Sequence, residues 1–67
     1  MKSKSDSKMA VMRKKALLTQ EEAAAKLGVE RSCVAKWETG VSSPRASMLL
    51  KLARLYDCTI EELLGAA

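Results

Sequence analysis

No histidine stands among the 67 residues, and with it go the commonest general base and a common metal ligand. Cys33 and Cys58 are far apart, and no histidine is present to complete a zinc set, so no metal site is expected and no cofactor is implied. Both read as small apolar thiols of a reducing compartment. Glu21–Glu22 and Glu61–Glu62 are adjacent carboxylates, but neighbours at i and i+1 diverge on a helix. All four sit where a helix start favours negative charge. There is no glycine-rich phosphate loop and no pairing of a nucleophile with a base. An enzyme is not expected.

What remains able to do chemistry is cationic. The formal net charge is +4, and it is unevenly placed. Residues 1–15 hold Lys2, Lys4, Lys8, Arg13, Lys14 and Lys15 against Asp6, a net +5; the other 52 residues hold six bases against seven acids, a net −1. A polyanion suits such an end, and DNA is the obvious candidate. A basic solubilising tail would carry the same charge.

The elements that must position these groups are short helices. Aromatics are limited to Trp37 and Tyr56, and the apolar content is otherwise Ala, Leu, Met and Val with few Ile. That mix favours packed helices over a sheet. Residues 1–7 are polar and form a flexible basic arm; residues 8–67 form one domain. From about Lys8, Met9, Met12 and Ala16 recur at helical spacing, with Ser5, Asp6 and Ser7 as candidate caps. Thr19 and Glu22 stand at capping-box spacing, Leu18 and Ala23 offer a small hydrophobic staple, and Gly28 stops the second helix. A third helix follows from Glu30 or Arg31 to Gly40, with Val34 and Trp37 on its buried side and Val29 at its entrance. Met48, Leu49, Leu52, Ala53 and Tyr56 pattern a fourth over roughly 45–56. Thr59 to Glu62 form a second capping box, opening a short fifth helix closed by Gly65. The expected fold is all-α, a compact five-helix bundle.

Two helices joined by a short glycine-containing turn, Leu18 to Gly40, make a helix-turn-helix pattern. Ala24 suits a close helix crossing, Gly28 permits the turn, and Val34 fills the core beneath the third helix. With Leu27-Gly28-Val29, Lys36-Trp37-Glu38, Gly40, Pro44, Leu49 to Ala53 and Glu62-Leu63-Leu64, the chain resembles the lambda-repressor-like (Xre/Cro-type) helix-turn-helix DNA-binding family over about residues 9–64. The resemblance implies a sequence-specific transcriptional regulator, usually a repressor, that lays helix 31–38 in the major groove.

Carried onto this chain, the family's base-reading positions are Arg31, Ser32 and Lys36, with Ala35 close enough for apolar contact. Arg31 or Lys36 could reach guanine O6 and N7, and Ala35 a thymine methyl. Gln20, beside the cap Thr19, matches a phosphate-holding position, and helix N-termini favour anions. Ser42, Ser43 and Arg45 resemble a second phosphate clamp. Arg13 and Glu38 match a pair that forms an internal salt bridge. Trp37 reads as core. Four residues depart from the family's pattern: Leu17 where a glycine often ends the first helix, Glu30 and Arg45 where caps are usual, and Cys33 in place of Thr or Ser.

The expected partner is double-stranded DNA, as a pseudo-palindromic operator if the protein is a homodimer through Ile60, Leu63 and Leu64, which could equally be core. Two recognition helices would then lie about 34 Å apart. Lys2 and Lys4 would add contacts if the arm orders on DNA. The chain stops just after the fifth helix, so no sensor domain and no small-molecule ligand are expected. No membrane span or signal peptide is legible, and a cytoplasmic location is expected. The competing reading is an antitoxin or partner-binding module that acts mainly through protein contacts.

Overall fold

Four of the five described helices end in the same hydrogen-bonded turn. A computed structural model describes residues 7–65, and among these the chain forms α1 (Lys8–Lys15), α2 (Gln20–Leu27), α3 (Arg31–Thr39), α4 (Ala46–Tyr56) and α5 (Ile60–Leu64), with no strand. The fold is all-α, as the sequence predicts. None of the described helices is long and apolar enough to cross a membrane.

Caps explain where the helices begin. Among the three candidates at the start of α1 it is Ser7 whose Oγ accepts from the Ala10 amide, at 3.2 Å. Lys2, Lys4 and the rest of the proposed arm lie outside the described residues. At α2 the Glu22 amide donates to Thr19 Oγ1 at 3.0 Å while the Thr19 amide donates to Glu22 Oε1 at 2.9 Å. The same reciprocal box opens α5, through Thr59 and Glu62 at 3.1 and 2.8 Å. Two orphan amides are satisfied each time. Glu30 and Arg45, two of the departures noted above, precede α3 and α4 without any side-chain cap. Arg45 is the residue before α4, not part of it.

The endings need a left-handed residue. Gly28 and Gly40 supply it after α2 and α3, at φ 76° and 83°. After α1 and α4 the chain asks it of Leu17 and Asp57, at φ 62° and 54°. In each case the amide that follows reaches back to a carbonyl five residues earlier: Leu18 to Arg13, Val29 to Ala24, Val41 to Lys36 and Cys58 to Ala53. The departure at Leu17 therefore leaves the turn unchanged and makes a leucine adopt it. Asp tolerates that conformation; a leucine does not, and an L-residue there costs about 1–2 kcal/mol. Leu17 recovers nothing through burial, being 88% exposed. Leu17→Gly should therefore stabilise the fold by about 1 kcal/mol, after allowing for glycine's greater freedom when unfolded. In thermal unfolding followed by circular dichroism, that is a rise of roughly 4–8 °C. An unchanged or lower midpoint would show that the turn is not strained.

Val34, Leu52 and Leu63 are the largest fully buried side chains, with Met12, Ala23, Ala24, Leu27 and Tyr56 around them. Trp37, Val29, Met48 and Leu49 pack partly buried against this core. Principal among the helix–helix contacts is α2 on α3, and the small residues Ala23 and Ala24 of α2 are both buried. Leu63 corrects one expectation. At 2% exposure it is core and has no surface to offer a second copy, whereas Leu64 is exposed and Ile60 half-buried. A helix of five residues can turn few side chains inward, and the position facing α1 and α4 is the one that fills the core.

Candidate nucleic-acid interface

Helix α3 has two unlike sides. Val34 is 1% exposed and Trp37 half-buried, which pins the helix to the bundle. Arg31, Ser32 and Lys36 are exposed, and Ala35 lies half-buried between them. At 100° per residue these four span one arc away from Val34, so a single surface can meet them all. Ser32 leans towards Glu30, its Oγ 3.5 Å from the carboxylate. Both cysteines are free and half-buried, Cys33 on this helix and Cys58 after α4.

Beneath that side lies a polar network. Arg13 Nε donates to Glu38 Oε2 at 2.7 Å and Arg13 Nη2 to Glu38 Oε1 at 3.3 Å, with side chains only 10% and 7% exposed. Arg13 Nη1 also donates to the Leu18 carbonyl at 2.8 Å, so one guanidinium joins α1, the turn before α2, and the end of α3. The pair expected at Arg13 and Glu38 is present in this geometry. Two further bonds have no local signature. Gln20 Nε2 donates to Glu38 Oε1 at 2.9 Å, and Arg31 Nη1 donates to Gln20 Oε1 at 3.4 Å.

The residues matched to phosphate contacts fall on two flanks, each tied to α3. On one, Thr19 and Gln20 stand at the start of α2, Gln20 bonded to Arg31. Thr19 Oγ1 accepts within its cap and keeps its own proton to donate. Gln20 Nε2 likewise carries a second hydrogen beyond the one that Glu38 takes. On the other flank the Ser42 amide donates to the Lys36 carbonyl at 3.3 Å. Ser43, Pro44 and Arg45 then line an open cleft of about 380 Å³ with Trp37, Ser47 and Met48. Ser42, Ser43 and Arg45 are exposed.

Tyr56 lies against the buried pair. Burial, reinforced by the Glu38 charge, pushes its phenol from the ordinary 10.0 up to about 12. Because the folded-state value is the higher one, the neutral phenol's contribution to stability is complete below pH 10 and lost as the pH rises towards 12. It is the chain's one tyrosine, so ultraviolet absorbance reads it alone. Tyrosinate should form near pH 12 in the folded protein and near 10 in denaturant. Tyr56→Phe should flatten the fall in stability over that range. Titration at the ordinary value in the folded state would show that the ring is open to water.

A pinned helix with an outward polar face, entered through a tight turn from a helix packed against it, defines a helix-turn-helix module. Comparison with known proteins makes the assignment: the helix-turn-helix family model matches residues 10–63, and the chain belongs to that family. The described domain is thus a DNA-binding one of helix-turn-helix type. Three curated relatives are similar. A protein named HTH-type transcriptional activator BcrR, from Enterococcus faecalis, is 40% identical over 72% of this chain and 24% of its own length. YobD of Bacillus subtilis, named an uncharacterized HTH-type transcriptional regulator, is 37% identical over 81% of this chain and 48% of its own. A regulator of the same description from Archaeoglobus fulgidus is 39% identical over 69% of this chain and 66% of its own. The chain thus spans less than two thirds of the length of each. No solved structure matches it.

Proposed function

We propose that this chain is a sequence-specific, double-stranded-DNA-binding domain of a transcriptional regulator, reading the major groove with α3. The observation that carries the reading is the outward arc of Arg31, Ser32, Ala35 and Lys36 on a helix fixed from behind by Val34 and the Arg13–Glu38 pair. Arg31 and Lys36 reach guanine edges and Ala35 a thymine methyl, while Ser32 takes either. Thr19, Gln20, Ser42, Ser43 and Arg45 hold phosphates on the two flanks and set the register of α3. Residues 8–67 form this domain, and the lysines of residues 1–7 add to its field.

Resemblance alone suggests repression; one relative is named an activator, and the sign of regulation depends on what surrounds the operator. A second copy through Leu64 and Ile60 would give a pseudo-palindromic site, and DNA binding would place the protein in the cytoplasm.

Salt dependence tests this reading against an antitoxin-like role through protein contacts. A duplex enriched from a random-sequence pool is titrated with the protein across salt concentration. Its binding constant should fall linearly on a log–log plot, with a slope of about −0.9 per phosphate neutralised. An affinity indifferent to salt would contradict the reading and favour a protein partner.

A further inference from the structure

We infer that Glu38 is a positioning residue for base recognition, acting through Gln20 to aim the Arg31 guanidinium. The inference rests on Arg31 reading a base, as proposed above. It assigns to the buried pair a part in specificity beyond that of holding α1 to α3.

Arg31 and Glu38 lie seven residues apart on α3, close to two full turns, so they share a face but stand about 10 Å apart along the axis. Gln20, the first residue of α2, spans the gap with one amide: Nε2 to Glu38 Oε1 at 2.9 Å, Oε1 to Arg31 Nη1 at 3.4 Å. The direction of that amide is not free. An ionised carboxylate only accepts hydrogen bonds, so the NH2 must face Glu38 and the carbonyl oxygen must face away, towards Arg31. Were the amide reversed, its oxygen would meet a carboxylate and its NH2 would meet a guanidinium, each a pairing of like with like.

Arg13 makes the arrangement durable. With two nitrogens on the Glu38 carboxylate, it fixes that group in a place where water scarcely reaches. It also neutralises the charge, so Glu38 can sit beside the DNA-facing helix without repelling phosphate. Arg31 itself is exposed and long, with rotamer freedom that must be given up on binding. An acceptor preset at its base reduces the number of directions in which its free nitrogens point. The 3.4 Å bond is long, so the expected contribution is several-fold and not a complete dependence.

The test compares affinities for a duplex enriched by the wild-type protein from a random-sequence pool and for its single-base-pair variants. Arg31→Ala identifies the base pair that Arg31 reads, by abolishing the preference there. Glu38→Gln, nearly isosteric but able to donate, and Gln20→Met, which keeps the fold's volume without a polar end, should each weaken preference at that same base pair by about 3–10-fold. Preference at the position lost in Lys36→Ala should be unchanged in both. Gln20→Met should have no further effect on preference once Arg31 is alanine. Circular dichroism establishes that each variant is folded; should Glu38→Gln fail to fold, Gln20→Met and its combination with Arg31→Ala still decide the matter. Unaltered preference at the Arg31 base pair, or a weakening spread evenly over all sequences, would overturn the positioning role while leaving base reading intact. A wild-type preference retained by Arg31→Ala would overturn the base reading itself, and the positioning role with it.

Discussion

Arg13→Ala should cost about 3–5 kcal/mol of folding stability, the range for removing one partner of a buried ion pair. A chain of this length has only about 3–10 kcal/mol to lose, so much of the variant should be unfolded at room temperature. The loss comes from what stays behind. Glu38 is left with a side chain 7% exposed and no guanidinium beside it, and of the donors Arg13 and Gln20 only Gln20 remains. The Leu18 carbonyl also loses the bond at 2.8 Å that steadies the turn into α2. Fluorescence of the single tryptophan, Trp37, one residue from Glu38, follows unfolding in urea. Replacing both partners by apolar residues of like volume, as in Arg13→Met with Glu38→Leu, should recover a large part of the loss, because no unpaired charge is left buried. An Arg13→Ala midpoint close to wild type would mean that water reaches the carboxylate.

Losing Arg31 and Lys36 together should remove discrimination between sequences while leaving the fold alone. Both side chains are exposed, and neither touches the core cluster. Each well-placed bidentate contact to guanine is worth about 1–3 kcal/mol against a wrong base, so the double alanine variant should lose roughly 30-fold to 10⁴-fold in specificity. Arg45→Ala should behave differently. It should weaken binding to every sequence alike and reduce the salt slope by about 1, because a phosphate contact carries no sequence information. Competition between the enriched duplex and a scrambled one of the same composition separates the two effects. If Arg45→Ala changed sequence preference and the double variant did not, the assignment of the two surfaces would be reversed.

Features set by neighbours in sequence were legible before the structure. Thr19 with Glu22 and Thr59 with Glu62 each combine a hydroxyl and a carboxylate three residues apart, and both boxes close. Gly28 and Gly40 mark left-handed endings because glycine enters that region freely. Leu17 and Asp57 take the same conformation without announcing it, since the need arises from the Leu18 and Cys58 amides reaching back to the preceding helix. Sequence alone leaves Leu63 open between core and dimer contact, because periodicity over five residues cannot say which of Ile60, Leu63 and Leu64 turns inward. Arg13 and Glu38, 25 residues apart, were paired through family resemblance and not through spacing. The bonds from Gln20 to Glu38 and from Arg31 to Gln20 span 18 and 11 residues, and they exist only once α2 has packed on α3. Nothing in the spacing around Gln20 announces either bond.

Selection from a random-sequence duplex pool, run in parallel with the wild-type protein and with Arg31→Ala/Lys36→Ala, tests the central claim most directly. A defined motif is expected for the wild type and no motif for the double variant, with circular dichroism of the two unchanged. The same motif enriched by both, or none by either, would contradict base reading by α3.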